Sequence, residues 1–175
     1  MNDNSSIHIR FSGATEKHYL QKLACIIGAL LLLGQAYGQI VYHDASEFPL
    51  LGKATISGNR YGRFPDSLER ISRPVLWRLS RNSAGLAIRF KSNSTRIDLK
   101  WENLYNNHMN HMTDTGARGL DLYCWEGKDG WRFVNSARPG GKQPNQTTVI
   151  ANMRSMEREY MLYLPLYDGL TSLQI

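Results

Sequence analysis

Three side chains with chemistry to offer lie close together in one stretch of the chain: His108, His111 and Asp114, each three residues from the next, inside Asn106-Asn107-His108-Met109-Asn110-His111-Met112-Thr113-Asp114-Thr115-Gly116. On one turn of helix that spacing would bring two imidazoles and a carboxylate to a common face, as a divalent metal requires. Asn107, Asn110 and Gly116 favour an irregular loop instead, and no second His or Cys cluster completes a tetrahedral site. The reading is therefore that His108, His111 and Asp114 are contact residues for a ligand or a neighbouring domain, with no metal and no cofactor assigned. Clustered carboxylates around a glycine, the mark of a calcium loop, do not occur. Two further candidates follow directly. In Leu120-Asp121-Leu122-Tyr123 the alternation sends Leu120 and Leu122 to a core and leaves Asp121 and Tyr123 on the opposite face. The plainer role for Asp121 and Tyr123 is a structural hydrogen bond holding the preceding loop.

A serine nucleophile would be sought at Pro65-Asp66-Ser67-Leu68, which resembles the Gly-Asp-Ser-Leu block of a large hydrolase family. The context argues against it. Such a serine emerges from a buried strand into a helix beside backbone amides that form an oxyanion hole, whereas Asn59-Arg60-Tyr61-Gly62-Arg63 is polar and Pro65 stands where the glycine should be. No histidine follows His111 and no Asp-x-x-His occurs, so a triad cannot be completed. No catalytic residue is assigned to this chain.

The elements that must hold these residues read as strands. From Arg96 to Trp101 the residues Ile97, Leu99 and Trp101 alternate with Arg96, Asp98 and Lys100, and Leu86, Ile88 and Phe90 alternate with Ala87, Arg89 and Lys91. The polar Ser92-Asn93-Ser94-Thr95 between them predicts a hairpin. Leu120 to Trp125 and Trp131 to Val134 form a second predicted hairpin through Gly127-Lys128-Asp129-Gly130, whose glycines permit positive φ. Tyr160, Leu162, Leu164 and Leu166 form another stripe, and Asp168-Gly169 turns the chain toward Leu170 to Ile175. Short apolar runs at Ile40-Val41-Tyr42, Val75 to Leu79 and Thr147 to Ala151 bring the total to about eight antiparallel strands. The expected fold class is all-β, a jelly-roll-like β-sandwich. Its best helix is one turn around Ser67 to Ile71. Trp77, Trp101, Trp125 and Trp131 are read as strand residues packing in the core or sheets, in preference to ligand platforms. The connections 102–119 and 136–146 are long enough to carry function.

The first part of the chain reads as an address. Leu23 to Leu33 is an apolar run of eleven residues without charge, preceded by Lys17 and Lys22 and followed by Ala36-Tyr37-Gly38. A membrane span needs about 20 apolar residues, so this is a cleavable signal peptide over 1–38, with the cut expected after Gly38. The protein is then secreted or periplasmic, with no membrane anchor after cleavage. The 21 basic and 15 acidic residues give a net charge of +6, and removing 1–38 lowers it by only one. Export excludes nucleic acid as a partner, and the positive charge is read as the solvated outer face of a sheet. Cys124, in an apolar alternation, is expected to be buried.

Three ordered blocks then suggest a family. His111-Met112-Thr113-Asp114-Thr115-Gly116-Ala117-Arg118-Gly119-Leu120-Asp121-Leu122-Tyr123, Asn82-Ser83-Ala84-Gly85-Leu86-Ala87-Ile88-Arg89-Phe90, and Tyr160-Met161-Leu162-Tyr163-Leu164-Pro165-Leu166-Tyr167-Asp168-Gly169 resemble the N-terminal Gly-x-Asp-Leu-Tyr β-sandwich of SGNH-type (GDSL-like) esterases over Ile40 to Ile175. The resemblance implies a secreted serine esterase in which this domain, 39–175, precedes a C-terminal SGNH hydrolase domain that the chain to Ile175 lacks. It further implies an accessory role without a nucleophile, His108, His111 and Asp114 facing the hydrolase cleft, and an acylated sugar as substrate. The alternative is a stand-alone carbohydrate-binding jelly roll holding a glycan on aromatic faces and polar loops.

Overall fold

A computed structural model describes His18 and residues 21–23, 39–55 and 58–175. The apolar run and the expected cleavage site after Gly38 lie outside the described residues. The chain divides into two compact units, Met1–Val41 and Tyr42–Ile175, and the second carries the fold.

Among the described residues, eight strands form two antiparallel sheets. One is ordered β1-β2-β7-β4-β5 and the other β6-β3-β8, with β1 at Leu50–Leu51, β2 at Ala87–Ser92, β3 at Ile97–Asn103, β4 at Leu120–Trp125, β5 at Trp131–Ala137, β6 at Asn145–Ile150, β7 at Arg158–Tyr163 and β8 at Leu170–Gln174. The period-two alternation explains the burial. Ile88 and Phe90 of β2, Leu120, Leu122 and Cys124 of β4, and Tyr160 and Leu162 of β7 meet Ile97, Leu99 and Trp101 of β3, Val149 of β6 and Leu170 and Leu173 of β8 in one buried cluster. Trp101 is fully buried, and its indole N–H donates to the Arg118 carbonyl at 3.2 Å, so its polar atom is satisfied. Cys124 is buried as expected, and burial pushes its thiol pKa up.

The β4–β5 hairpin forms as the sequence predicts, with Gly127 and Gly130 at φ of 59° and 72°. The other predicted hairpin does not. β2 pairs with β1 and β7 whereas β3 pairs with β6 and β8, so Ser92 to Arg96 is an arch from one sheet to the other. Alternation marks a strand with one wet face but carries no information on its neighbour.

Val75 to Leu79 is also not a strand. Pro74–Ser80 is a helix, α1, with proline in its first turn, where the absent N–H costs nothing. Its apolar residues Val75, Leu76 and Leu79 follow helical spacing and remain substantially exposed. Trp77 consequently sits on a helix, with the Arg81 guanidinium 5.4 Å from its ring centre. A 3-10 helix at Asp66–Ile71 takes the place of the single predicted turn. Ile40 to Tyr42 forms no strand either. Instead His43 and Ile175 exchange two backbone hydrogen bonds of 2.7 and 2.9 Å, zipping the start of the folded unit to the end of β8. The basic residues separate into two groups: Arg89, Lys91 and Lys100 lie on strands, but Arg60, Arg63, Arg70, Arg73, Arg78 and Arg81 belong to the irregular and helical segment before β2.

Candidate functional site

The three blocks singled out in the sequence are knitted together at one end of the sheets. The Ser83 N–H donates to the Asp168 carbonyl at 2.9 Å, Leu164 to Leu86 at 3.0 Å, and Tyr167 to Ala117 at 3.1 Å. Asp168 has no exposed surface. Its carboxylate accepts from the backbone N–H groups of Tyr105, Asn107 and Gly169 at 2.8 to 2.9 Å, pinning the loop after β3. Gly169 must lack a side chain here, because a Cβ would lie 2.5 Å from the Arg81 carbonyl oxygen.

That pinned loop delivers His108 to Asp114. His108 Nδ1 lies 3.0 Å from Asp114 Oδ1, and the other carboxylate oxygen accepts from Arg118 Nη2 at 2.6 Å. Arg118 closes the short helix α2, Asp114–Arg118, and its side chain is only 1% exposed. Its other Nη donates to Asn106. The Arg118 hydrogen bond, more than His108, holds the Asp114 carboxyl below its ordinary pKa. An ionised carboxylate can only accept, so in this contact His108 Nδ1 carries the proton.

Beside His108 is an open recess of about 260 Å³ lined by Arg78, Leu79, Asn82, Asn107, Met109 and Tyr167 as well as His108. Asn107 is committed: its amide N–H donates to the Tyr167 carbonyl at 2.9 Å and its Oδ1 accepts from Arg78 at 3.3 Å. The Arg78 guanidinium lies 5.0 Å from the Tyr105 ring centre. A second recess of about 330 Å³, sharing Leu79, runs along α1 past Phe64, Leu68, Leu76 and Trp77.

The other sequence candidates lie elsewhere. His111 is exposed and faces Asn110 Oδ1 at 2.9 Å. Among the described residues no three His, Cys, Asp or Glu side chains converge as a metal cage requires. Asp121 accepts from Ser136 Oγ at 2.6 Å, a bond across two strands and not to the preceding loop. Tyr123 stands between Phe133 and Tyr163, edge to face with both at 5.6 and 5.4 Å. These belong to the outer face of the five-stranded sheet, where Trp125 and Trp131 also meet at 5.3 Å and Trp125, Phe133 and Tyr163 are each more than 40% exposed. Ser67 is exposed in the 3-10 helix. Sequence reasoning did not single out Arg78, Asn82, Arg118 or Asp168. A buried arginine and a buried aspartate have no signature of their own, and Asn82 entered the sequence reading only as the first residue of a family block; in the structure its backbone N–H reaches the Leu79 carbonyl of α1 at 3.2 Å.

Comparison with known proteins bears on the whole of this unit. Residues 40–175 match the family model described as GxDLY, the N-terminus of SGNH hydrolase-type esterases. The pattern in that description falls on Gly119 to Tyr123. A crystal structure from Bacteroides ovatus ATCC 8483, described as a GDSL-like lipase, is similar at 39% identity and a TM-score of 0.73, covering 78% of this chain and 40% of its own. The salicylyl-acyltransferase SsfX3 of a tetracycline biosynthetic pathway shares the fold at 11% identity and a TM-score of 0.54, over 77% of this chain and 39% of its own. The chain thus spans about two fifths of the length of these solved relatives. No curated protein matches it.

Proposed function

The chain belongs to the GxDLY family, the N-terminus of SGNH hydrolase-type esterases, and on that premise we propose that 39–175 is the accessory domain of a secreted or periplasmic esterase. In this reading the two sheets are a jelly-roll-like sandwich that packs on a C-terminal SGNH hydrolase domain and shapes access to its cleft. Acylated carbohydrate is the substrate class, and the nucleophile comes from the hydrolase domain. The observation that carries the reading is the convergence of all three family blocks on the Asp168-pinned end, where His108 and Asp114 stand beside an open recess. Loops held this firmly position side chains for a neighbour better than free loops do.

The test is a transplant. With its own N-terminal domain replaced by residues 39–175, the Bacteroides ovatus relative is expected to hydrolyse an acetyl ester, whereas this chain alone does not. Turnover by the chain alone that disappears in Ser67→Ala would overturn the reading. A second reading, a stand-alone carbohydrate-binding module, is favoured by the aromatic row of Tyr163, Tyr123, Phe133, Trp125 and Trp131, of which Tyr163, Phe133 and Trp125 are exposed. It predicts retardation in affinity electrophoresis on polysaccharide gels that is lost in Phe133→Ala.

A further inference from the structure

We propose that the recess beside His108 is a subsite for a single sugar ring, held through the side-chain amide of Asn82. This rests on the accessory-domain reading and names what that rim receives. Asn82 lines the recess and is 5% exposed, yet among the described residues its side-chain amide makes no hydrogen bond. The amide is not among the described side-chain atoms that are wholly shut off from solvent without a partner, so whatever pairs with it reaches it through the recess. Around it the committed groups can be subtracted. Asn107 gives its amide oxygen to Arg78 and an amide N–H to Tyr167, and His108 gives Nδ1 to Asp114. What remains uncommitted among the lining residues is the Asn82 amide, His108 Nε2 and the spare N–H groups of Arg78.

This inventory selects a polyol. A carboxylate or a fully ionised phosphate ester offers acceptors alone and would leave the Asn82 oxygen unpaired, and an aliphatic chain would leave every polar group unpaired. Two neighbouring hydroxyls satisfy both ends of the amide at once, one donating to Oδ1 and one accepting from Nδ2. Tyr167, 40% exposed, with Met109 and Leu79 supplies the apolar contact that the C–H face of a pyranose needs. The volume of about 260 Å³ lies just under the range of drug-sized pockets, which suits one ring and not a chain of them.

The test uses the full chain, isotopically labelled, titrated with methyl glycosides of glucose, galactose, mannose and xylose and with their acetyl esters. Sodium acetate and sodium phosphate serve as anion controls. At least one glycoside is expected to shift the amide signals of Asn82, Asn107, His108 and Tyr167 saturably, with a dissociation constant on the order of 1 mM. Asn82→Ala should weaken it about tenfold, the worth of one good hydrogen-bonded pair. Asn82→Asp, which keeps the acceptors and loses the donors, should weaken it too. If Asn82→Ala melts early, Tyr167→Ala tests the same recess from its exposed side. Three outcomes overturn the proposal: no glycoside moves these signals; binding survives at Asn82→Ala but is lost in Phe133→Ala; or the recess responds only to the anions or to an added hydrolase domain. An active transplant with no glycoside bound would remove this subsite and leave the accessory role standing, and an inactive transplant with binding at Asn82 would do the reverse.

Discussion

Three backbone N–H groups end on the carboxylate of Asp168, and its complete burial leaves them no water to fall back on. Asp168→Ala is therefore expected to destabilise the fold by about 3 kcal/mol, at roughly 1 kcal/mol or more for each orphaned donor, read as a lower urea midpoint. Asp98 carries a pH dependence. It is 6% exposed, and the Arg96 guanidinium at 2.5 and 2.7 Å, ahead of the Thr148 hydroxyl at 2.6 Å, holds its carboxyl below the ordinary value. A depressed folded-state pKa adds stability that is complete above the unfolded value of about 3.9 and is lost as the pH falls through the folded one. Unfolding measured against pH should be level above about pH 5 and fall in acid, and Asp98→Asn should flatten that acid limb. Neither aspartate was legible in the sequence as buried. Asp98 alternates with Arg96 and Lys100 as an exposed residue would, and only Arg96 and Thr148 folding over it reveal otherwise.

At the scale of elements, the junction between α2 and β4 turns on Gly119. Its φ of −82° suits any residue, but a Cβ there would lie 2.3 Å from the Thr115 oxygen and 2.7 Å from the Ala137 oxygen, both backbone. Gly119→Ala should cost about 2 kcal/mol or more through overpacking, seen as a lower melting temperature, since the roughly 0.4–1 kcal/mol gained from a stiffer unfolded chain is too small to offset the clash. The strands with one wet face were legible, since Leu120, Leu122, Leu99 and Trp101 announce themselves by alternation. Two features were not. Seven residues at Val75 to Leu79 and its flanks fit a period of 2 or 3.6 equally well, and Pro74 decides between them only once its place at a helix start is seen. The partner of a strand is fixed by the shared core, so the arch from Ser92 to Arg96 looked locally like a tight turn. His108 and Asp114 were found together because they lie six residues apart in the sequence, whereas Asn82 comes close to His108 only in three dimensions.

Across the whole molecule, apolar surface is left open at Phe64, Ile71, Val75, Leu76 and Leu79, in a segment carrying six arginines. Leu76→Glu should change the stability of the chain by no more than about 0.5 kcal/mol, because an already exposed side chain has little burial to lose. In the transplanted esterase the same change should raise the domain's tendency to come away, measured as release after cleavage between the two halves. The backbone seam between His43 and Ile175 has a mechanical corollary. The first and last residues of the folded unit are clasped side by side, while the recess sits beyond Leu170, the opposite end of the five-residue β8, some 16 Å away at strand rise. Because the two ends hold each other through reciprocal backbone bonds, loosening one frees the other, and the amide protons of His43 and Ile175 should exchange together.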